Sequence, residues 1–343
     1  MVNVRELTER KEESLSPFAS RSRLSKGRLK AEEPCSIRTA FARDRDRVLH
    51  ANSFRRLKHK TQVFITPLDD HYVTRLTHTL EVAQVARTIS RALSLNEDLT
   101  EAIALGHDLG HTPFGHVGEE VLNELYREGF RHNEQSLRVV DLLENNGQGL
   151  NLTWEVRDGI VHHSKARGEI LGEGWEPMGT LEGEVVRLAD MVAYINHDID
   201  DALRAAVITG HDLPPTATRV TGYSRSERIR TMVGDIIQCS WAVRGETGRE
   251  ANPRILMSPE IARATRELRE FLFERVYNLR SAQREVAMAR KVVRKLYRYY
   301  NENEGCLPLE YRSGPDEVAR RVVDYVSGMT DQYALKLAGE IPV

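Results

Sequence analysis

Apolar positions return every three or four residues along most of the chain, which is the spacing of one face of a helix. In RLTHTLEVAQVARTISRALSL (75–95), Leu76, Leu80, Ala83, Ile89 and Leu93 fall near one side. The same period predicts a helix from Ala40 (AFARDRDRVLHANSFRRL) with Phe41, Val48, Leu49, Phe54 and Leu57 on one side. Asn96 or Asp98 can cap another that runs through Leu109. Gly110, Pro113 and Gly115 break it, and further helices are predicted over 116–129, 134–145, 152–164 and 181–208. After residue 226 a series of amphipathic stretches reaches the end of the chain. Between these lie a loop or short hairpin (61–74), a Gly-rich loop (168–180) and a Pro- and Thr-containing linker (212–226). The first ~35 residues are polar and weakly periodic, and read as an extended arm. There is no internal repeat and no sustained alternation, so the predicted class is all-α. The predicted organisation is a basic, partly disordered arm (1–39), a helical core (40–210, motif region 75–200), a mobile linker (211–226) and a C-terminal helical region (227–343).

Composition refines this picture in three respects. At 343 residues, with 40% hydrophobic and 29% charged, the chain has the makeup of a soluble globular protein with one large domain or two ordinary ones. Its net charge of −2 exerts no global pull on nucleic acid or membrane. Residues 1–60, however, hold 16 Lys and Arg against 8 Asp and Glu, an excess of eight that suits a phosphate or simply a solvated arm. Cys35, Cys239 and Cys306 are far apart and form no CxxC pair, which argues against structural zinc and a disulfide framework. That usage fits a reducing cytoplasm. The N-terminus has no apolar secretory core, and no apolar run nears the ~20 residues a membrane helix needs.

Chemistry is concentrated where polar residues interrupt apolar helix faces. His78 does so in LTHTLEV, His107 and Asp108 in IALGHDLG, and Asp190 in VVRLADMVAYI. Burying a lone carboxylate in a helical core is costly. Two carboxylates and two imidazoles satisfy one another when they converge on a divalent cation. A mixed N and O set without thiolate suits Mg, Mn or another first-row transition metal, one ion per site. The competing reading is ordinary: a helical His is more often a hydrogen-bonded core residue, and Asp190 could pair with Arg187. A bare HD dipeptide also recurs at His197-Asp198 and His211-Asp212, so weight must come from the flanks.

Those flanks carry a resemblance. The segments EEPCSIRTAFARDRDRVLHANSFRRLKHKTQVF (32–64), TRLTHTLEVAQVAR (74–87), ALGHDLGHTPFGHVGEEVLN (104–123), FRHNEQSLRVV (130–140), LADMVAYINHDIDDA (188–202) and DYVSGMTDQYA (324–334) resemble the deoxynucleoside triphosphate triphosphohydrolases of the HD phosphohydrolase superfamily, in their shorter bacterial, dGTPase-like branch. The likeness spans nearly the whole chain. It implies an HD-domain fold with an N-terminal arm and a C-terminal helical extension. It implies that His78, His107, Asp108 and Asp190 bind the metal and that His116 and Glu119 form the catalytic pair, one helical turn apart. His111 would lie near the phosphates, and His132 and Glu134 would border the pocket without an assigned role. Arg75 would contact a phosphate. Tyr194 and Asp198, four and eight residues after Asp190, would meet the sugar and its 3′-OH, with Gln62 supporting that hydroxyl. His162 and His163 are read as structural.

The implied reaction is metal-assisted attack of water on the α-phosphorus of a dNTP, releasing the deoxynucleoside and intact triphosphate. His116, oriented by Glu119, would protonate the leaving 5′ oxygen. The basic excess within residues 21–60 would help neutralise the triphosphate, in the same or a neighbouring subunit of a homo-oligomer. The likeness also brings in a dNTP as allosteric activator. No GxxxxGK loop is present. Met191 stands where the eukaryotic branch has a Lys that assists the phosphates, and the longer guanine-specific enzymes have segments without counterpart here. Two alternatives remain open: an HD nucleotidase or phosphodiesterase acting on another nucleotide, and a nucleic-acid-binding or regulatory protein whose HD site is only a ligand sensor, with the Arg-rich arm permitting single-stranded nucleic acid as a partner.

Overall fold

Helices take up 69% of the described residues, and the only β-type pairings among them are two isolated bridges, Arg28 with Thr153 and Thr61 with Thr74. The computed structural model describes residues 3–62, 72–164, 178–246, 253–277, 282–312 and 315–342. Most of the predicted 61–74 connection and of the Gly-rich 168–180 loop lies outside the described residues. The all-α class stands. The chain divides into two compact units, each assembled from three segments. One comprises 1–49, 78–107 and 151–278; the other comprises 50–77, 108–150 and 279–343. The division passes between Thr77 and His78, inside the helix Arg75–Ala92, and between His107 and Asp108.

The first unit is built around the helix Leu181–Arg204, whose Thr180 side chain caps it by accepting from the Gly183 N–H. Its Val185, Val186, Leu188, Ala189, Val192, Ile195 and Ile199 are buried. The helices Glu97–Gly106, Trp154–His162, Arg225–Cys239 and Pro259–Leu272 pack on it. Asn96 is the residue that caps the Glu97 helix, accepting from Leu99 N–H, and that helix stops at Gly106, three residues short of the predicted end.

Two expectations are corrected in this unit. The segment read as an extended arm contains a helix, Val4–Glu12, capped by Asn3. Glu12 at its end is buried and accepts from the Ser22 N–H and hydroxyl (2.7 Å each) and from Asn96 Nδ2 (3.0 Å). Glu182, also buried, accepts from the backbone N–H of Ser20 and Asn96. The segment is fastened by polar bonds to buried carboxylates, so apolar periodicity could not reveal it. Several arginines of residues 1–60 are paired within the unit: Arg28 on Asp44 and Glu32, Arg47 on Glu32, Arg38 on Asp46, Arg45 on Asp98. The predicted linker likewise holds a helix, Pro215–Thr221, because proline at its first position fixes φ and sacrifices no needed donor. Ser224 and Glu227 then form a reciprocal capping box for the Arg225 helix.

The second unit has its own apolar core. Phe114, Val121, Leu122, Phe130, Val293, Leu296, Tyr300, Val322 and Val326 cluster there. They come from the helices His116–Leu125, Ala282–Glu302 and Val318–Ser327 and from the turns beside them. A buried Asp324 accepts from Gln135, Arg138 and Arg320, tying the His132–Arg138 helix to the C-terminal segment.

Candidate functional site

Within the first unit, His78, His107 and Asp190 converge. His78 Nε2 lies 3.1 Å from Asp190 Oδ1, and His107 Nε2 lies 3.9 Å from the same oxygen. His107 Nδ1 sits 2.6 Å from the Ala104 carbonyl, which can only accept, so Nδ1 donates and Nε2 presents its lone pair toward Asp190. Burial would by itself raise the Asp190 carboxyl. The adjacent imidazole of His78, and those of His107 and His163 beyond it, outweigh it and hold the carboxyl at about 2. Two imidazoles and an ionised carboxylate are a donor set that suits a divalent first-row metal. Asp108, the fourth expected ligand, follows His107 directly in the chain.

The same unit contains residues that pattern reasoning passed over. His163, read as structural, is buried with its ring centroid 4.9 Å from that of His107. His78 Nδ1 is 2.9 Å from His197 Nε2, and His197 Nδ1 is 2.7 Å from Asp198 Oδ1. The Tyr277 hydroxyl donates to the other oxygen of Asp198. Asp198, expected to face a sugar hydroxyl, is thus buried with two protein partners. Tyr194 is half-buried on the same helix, and burial pushes its hydroxyl above the ordinary tyrosine range.

Within the second unit, the turn at 110–116 assembles a second group. A Cβ on Gly110 would stand 2.2 Å from the Ser136 nitrogen and 2.7 Å from the His132 carbonyl, so only glycine lets this backbone lie on the start of the His132 helix. That close approach stacks His111 on His132, with centroids 4.6 Å apart and planes 21° apart. Phe114 and Gly115 then take positive φ, 62° and 59°. Asp331 holds the strained Phe114 by accepting from its N–H (2.9 Å) and also accepts from Thr61 N–H (2.9 Å). No local signal in the sequence marks Asp331 for that task. Lys60 is fully buried and donates to the carbonyls of His111 and Ser327. Burial first, then the nearby Arg56 and Arg75, push its ammonium down to about 7.

Glu119 is the hub of this group. Its Oε2 accepts from His116 Nδ1 (2.9 Å), and its Oε1 accepts from both the ring Nδ1 and the backbone N–H of His132 (2.8 Å each). Burial would raise its carboxyl, but His132 and His116 overcome that and hold it well below the usual carboxylate range. Burial would lower His132; Glu119, helped by Asp108, raises it instead. His111, buried beside Arg75 and His132, is driven well below the ordinary histidine range. His116 is the exposed member, its side chain 71% accessible. The ligand atoms of His111, His116, Glu119 and His132 all lie within 4.8 Å of one another. Arg75, only 2% accessible, donates to Asp108, and Asp108 Oδ1 lies 3.9 Å from His132 Nε2. Gln62 is half-buried, with its carbonyl beside Gly115. Glu134 does not join: it is exposed and faces Arg131 at 3.8 Å.

The fold and these groups define a class, an HD-type phosphohydrolase. An HD domain model matches residues 75–195, and a phosphohydrolase-associated domain model matches residues 255–340. Over 343 residues the chain is 55% identical to a "Deoxyguanosinetriphosphate triphosphohydrolase-like protein" of Caldanaerobacter subterraneus subsp. tengcongensis, covering 99% of this chain and 96% of that one. It is 49% identical to a protein of the same name from Desulfatibacillum aliphaticivorans, covering 97% and 96%. It is 50% identical to one from Clostridium perfringens, covering 93% and 91%. The chain belongs to the family of deoxyguanosinetriphosphate triphosphohydrolase-like proteins, with an HD domain and its associated C-terminal domain. HD domains bind divalent metal ions, and the histidine and aspartate side chains described above are a set that could hold one. No helix among the described residues is long and apolar enough to cross a membrane.

Proposed function

We propose that this protein hydrolyses deoxynucleoside triphosphates to a deoxynucleoside and inorganic triphosphate. The observation that carries the reading is an ionised Glu119 holding an exposed imidazole, His116, in a chain whose His78, His107 and Asp190 already converge. His78, His107 and Asp190, with Asp108 next in the chain, would hold one divalent ion, Mg²⁺, Mn²⁺ or another first-row transition ion. When bound, that ion polarises the α-phosphate and acidifies a water.

The protein's own groups supply the rest. Glu119 fixes the His116 Nδ1–H, so a second proton at Nε2 is available for the leaving 5′ oxygen. Burial keeps His111 neutral, so it can hydrogen-bond a phosphate oxygen without a fixed charge. Arg75, held on Asp108, would meet the phosphate charge. Tyr194 would stack under the deoxyribose and crowd a 2′-OH. Asp198 would accept from the 3′-OH by exchanging the Tyr277 hydroxyl for it, with Gln62 in support. His132 keeps Glu119 ionised.

The decisive experiment is product analysis with each of the four dNTPs, singly and in mixtures, with Mg²⁺, Mn²⁺ and other divalent ions. Deoxynucleoside plus triphosphate in equal amounts is expected. Orthophosphate, pyrophosphate or a nucleoside monophosphate as the primary product would overturn the reading. Faster hydrolysis in mixtures than singly would reveal activation by a second dNTP.

A further inference from the structure

We infer that Lys60 is a positioning residue for the triphosphate: its ammonium closes a ring of hydrogen bonds that sets the spacing of Arg75 and His111. This rests on the reading of Arg75 and His111 as phosphate contacts given above. The ring lies wholly within the second unit. The Lys60 carbonyl accepts from the Arg75 N–H (3.1 Å), and the Arg75 guanidinium donates to the Asp108 carboxylate (2.5 Å). The Asp108 carbonyl accepts from the His111 N–H (3.1 Å), and the Lys60 ammonium returns to the His111 carbonyl. A second bond carries the same ammonium to the carbonyl of Ser327 (2.9 Å).

A lysine only 2% accessible is a costly choice, because an amine buried without partners loses the hydrogen bonds that water gave it. Its two acceptors account for it. Ser327 is the last residue of the helix Val318–Ser327, and the carbonyls at a helix end need donors from outside the helix. The negative end of the helix dipole favours a cation at the same place. The other acceptor, the His111 carbonyl, belongs to the turn at 110–116 that starts the His116 helix. An apolar side chain of similar length would fill the space and take the donor from both carbonyls at once.

The residue after Lys60 holds the same segments from a second direction. Thr61 pairs with Thr74 in an isolated antiparallel bridge, and its N–H donates to Asp331, which also accepts from the Phe114 N–H (2.9 Å each). A Cβ on Gly115 would come within 3.3 Å of an Arg75 side-chain nitrogen and 3.4 Å of the Gln62 carbonyl oxygen, so the turn lies directly against both segments. Lys60, Arg75, Asp108 and His111 are all buried, so water does not compete for the ring and the low local dielectric strengthens it. Arg75, Asp108 and His111 are each assigned above to substrate or metal. Lys60 is assigned to neither, so its side chain is the link that can be cut without removing a ligand.

The test uses the full chain with Mg²⁺ and two probes, inorganic triphosphate followed by calorimetry and deoxyguanosine followed by ligand-observed NMR. Lys60→Met opens the ring and should raise the triphosphate Kd roughly 10–100-fold, the worth of one misplaced charge-assisted bond, while the deoxyguanosine Kd stays within threefold. A triphosphate Kd equal to that of wild type overturns the inference. So does an equal loss for both probes, which would make Lys60 a general support of the fold. Arg75→Gln separates this role from the reading beneath it. Wild-type triphosphate affinity in Arg75→Gln sinks the phosphate site itself. Lost affinity in Arg75→Gln with an unchanged Kd in Lys60→Met overturns only the role of Lys60. Should the Met variant fail to fold, Lys60→Gln takes its place. Its amide is one atom shorter and cannot span both carbonyls, so the same selective loss supports the inference and unchanged triphosphate binding refutes it.

Discussion

Glu119→Gln is the most informative single change, because it keeps shape and removes only charge. Glu119 accepts three hydrogen bonds, two of them at one oxygen. In the variant the amide oxygen must stay on the His132 backbone N–H, which has no alternative but to donate. The amide NH₂ then faces His116 Nδ1, and His116 must turn to the tautomer that accepts there. An imidazole in that state no longer has a carboxylate to stabilise its protonated form, so it is a poor proton donor to the leaving oxygen. The loss in kcat should be about 10²–10⁴-fold, the usual worth of a positioned general acid. KM and bound metal should change little. Stability should fall as well, by about 1.5–3 kcal/mol, the size of one charge-assisted bond in a buried site. The pH dependence of that loss has a definite sign. His132 is raised above its unfolded value near 6.5, so its pairing with Glu119 stabilises fully below about pH 6.5 and fades as pH climbs through the raised value. Denaturant unfolding of wild type and variant should therefore differ most near pH 6 and converge in alkali. A kcat within threefold of wild type would refute the catalytic role, and a stability gap that grows with pH would refute the charged His132 pair.

Other changes test separate parts. Asp108→Asn should abolish metal retention and turnover, read by elemental analysis and product release. Asp108→Ala should additionally lose about 3–5 kcal/mol in unfolding, because it removes the carboxylate to which the buried Arg75 donates. Gly110→Ala should destabilise by about 1–3 kcal/mol or more and depress kcat, since its methyl would run into the backbone of Ser136 and His132; a wild-type Tm would show that the turn can move aside. Tyr194→Ala should relax rejection of ribonucleoside triphosphates, measured as the ratio of kcat/KM for a dNTP and its ribo counterpart, and an unaltered ratio would remove Tyr194 from the sugar.

Much of this is legible in the amino-acid sequence. Helical period places His78, Asp190, Tyr194 and Asp198 on their helices, and the Gly-Pro-Gly spacing marks where one helix ends and the next begins. Residue types alone limit the metal to one bound by imidazole and carboxylate, and the i, i+3 spacing of His116 and Glu119 announces their hydrogen bond. What the chain does not encode locally is who meets whom across long separations. Glu119 takes His132, thirteen residues on, while the expected neighbour Glu134 points away to solvent. Phe114 is held by Asp331, 217 residues later, and His78 by His197, 119 residues later. The arm reads as loose because its anchors are single buried carboxylates, Glu12 and Glu182, that leave no periodic trace. Periodicity records which side of an element is apolar, because that follows from local geometry. The partner of a buried polar group is decided only when distant segments pack, and there the need to satisfy every buried donor and acceptor selects one arrangement.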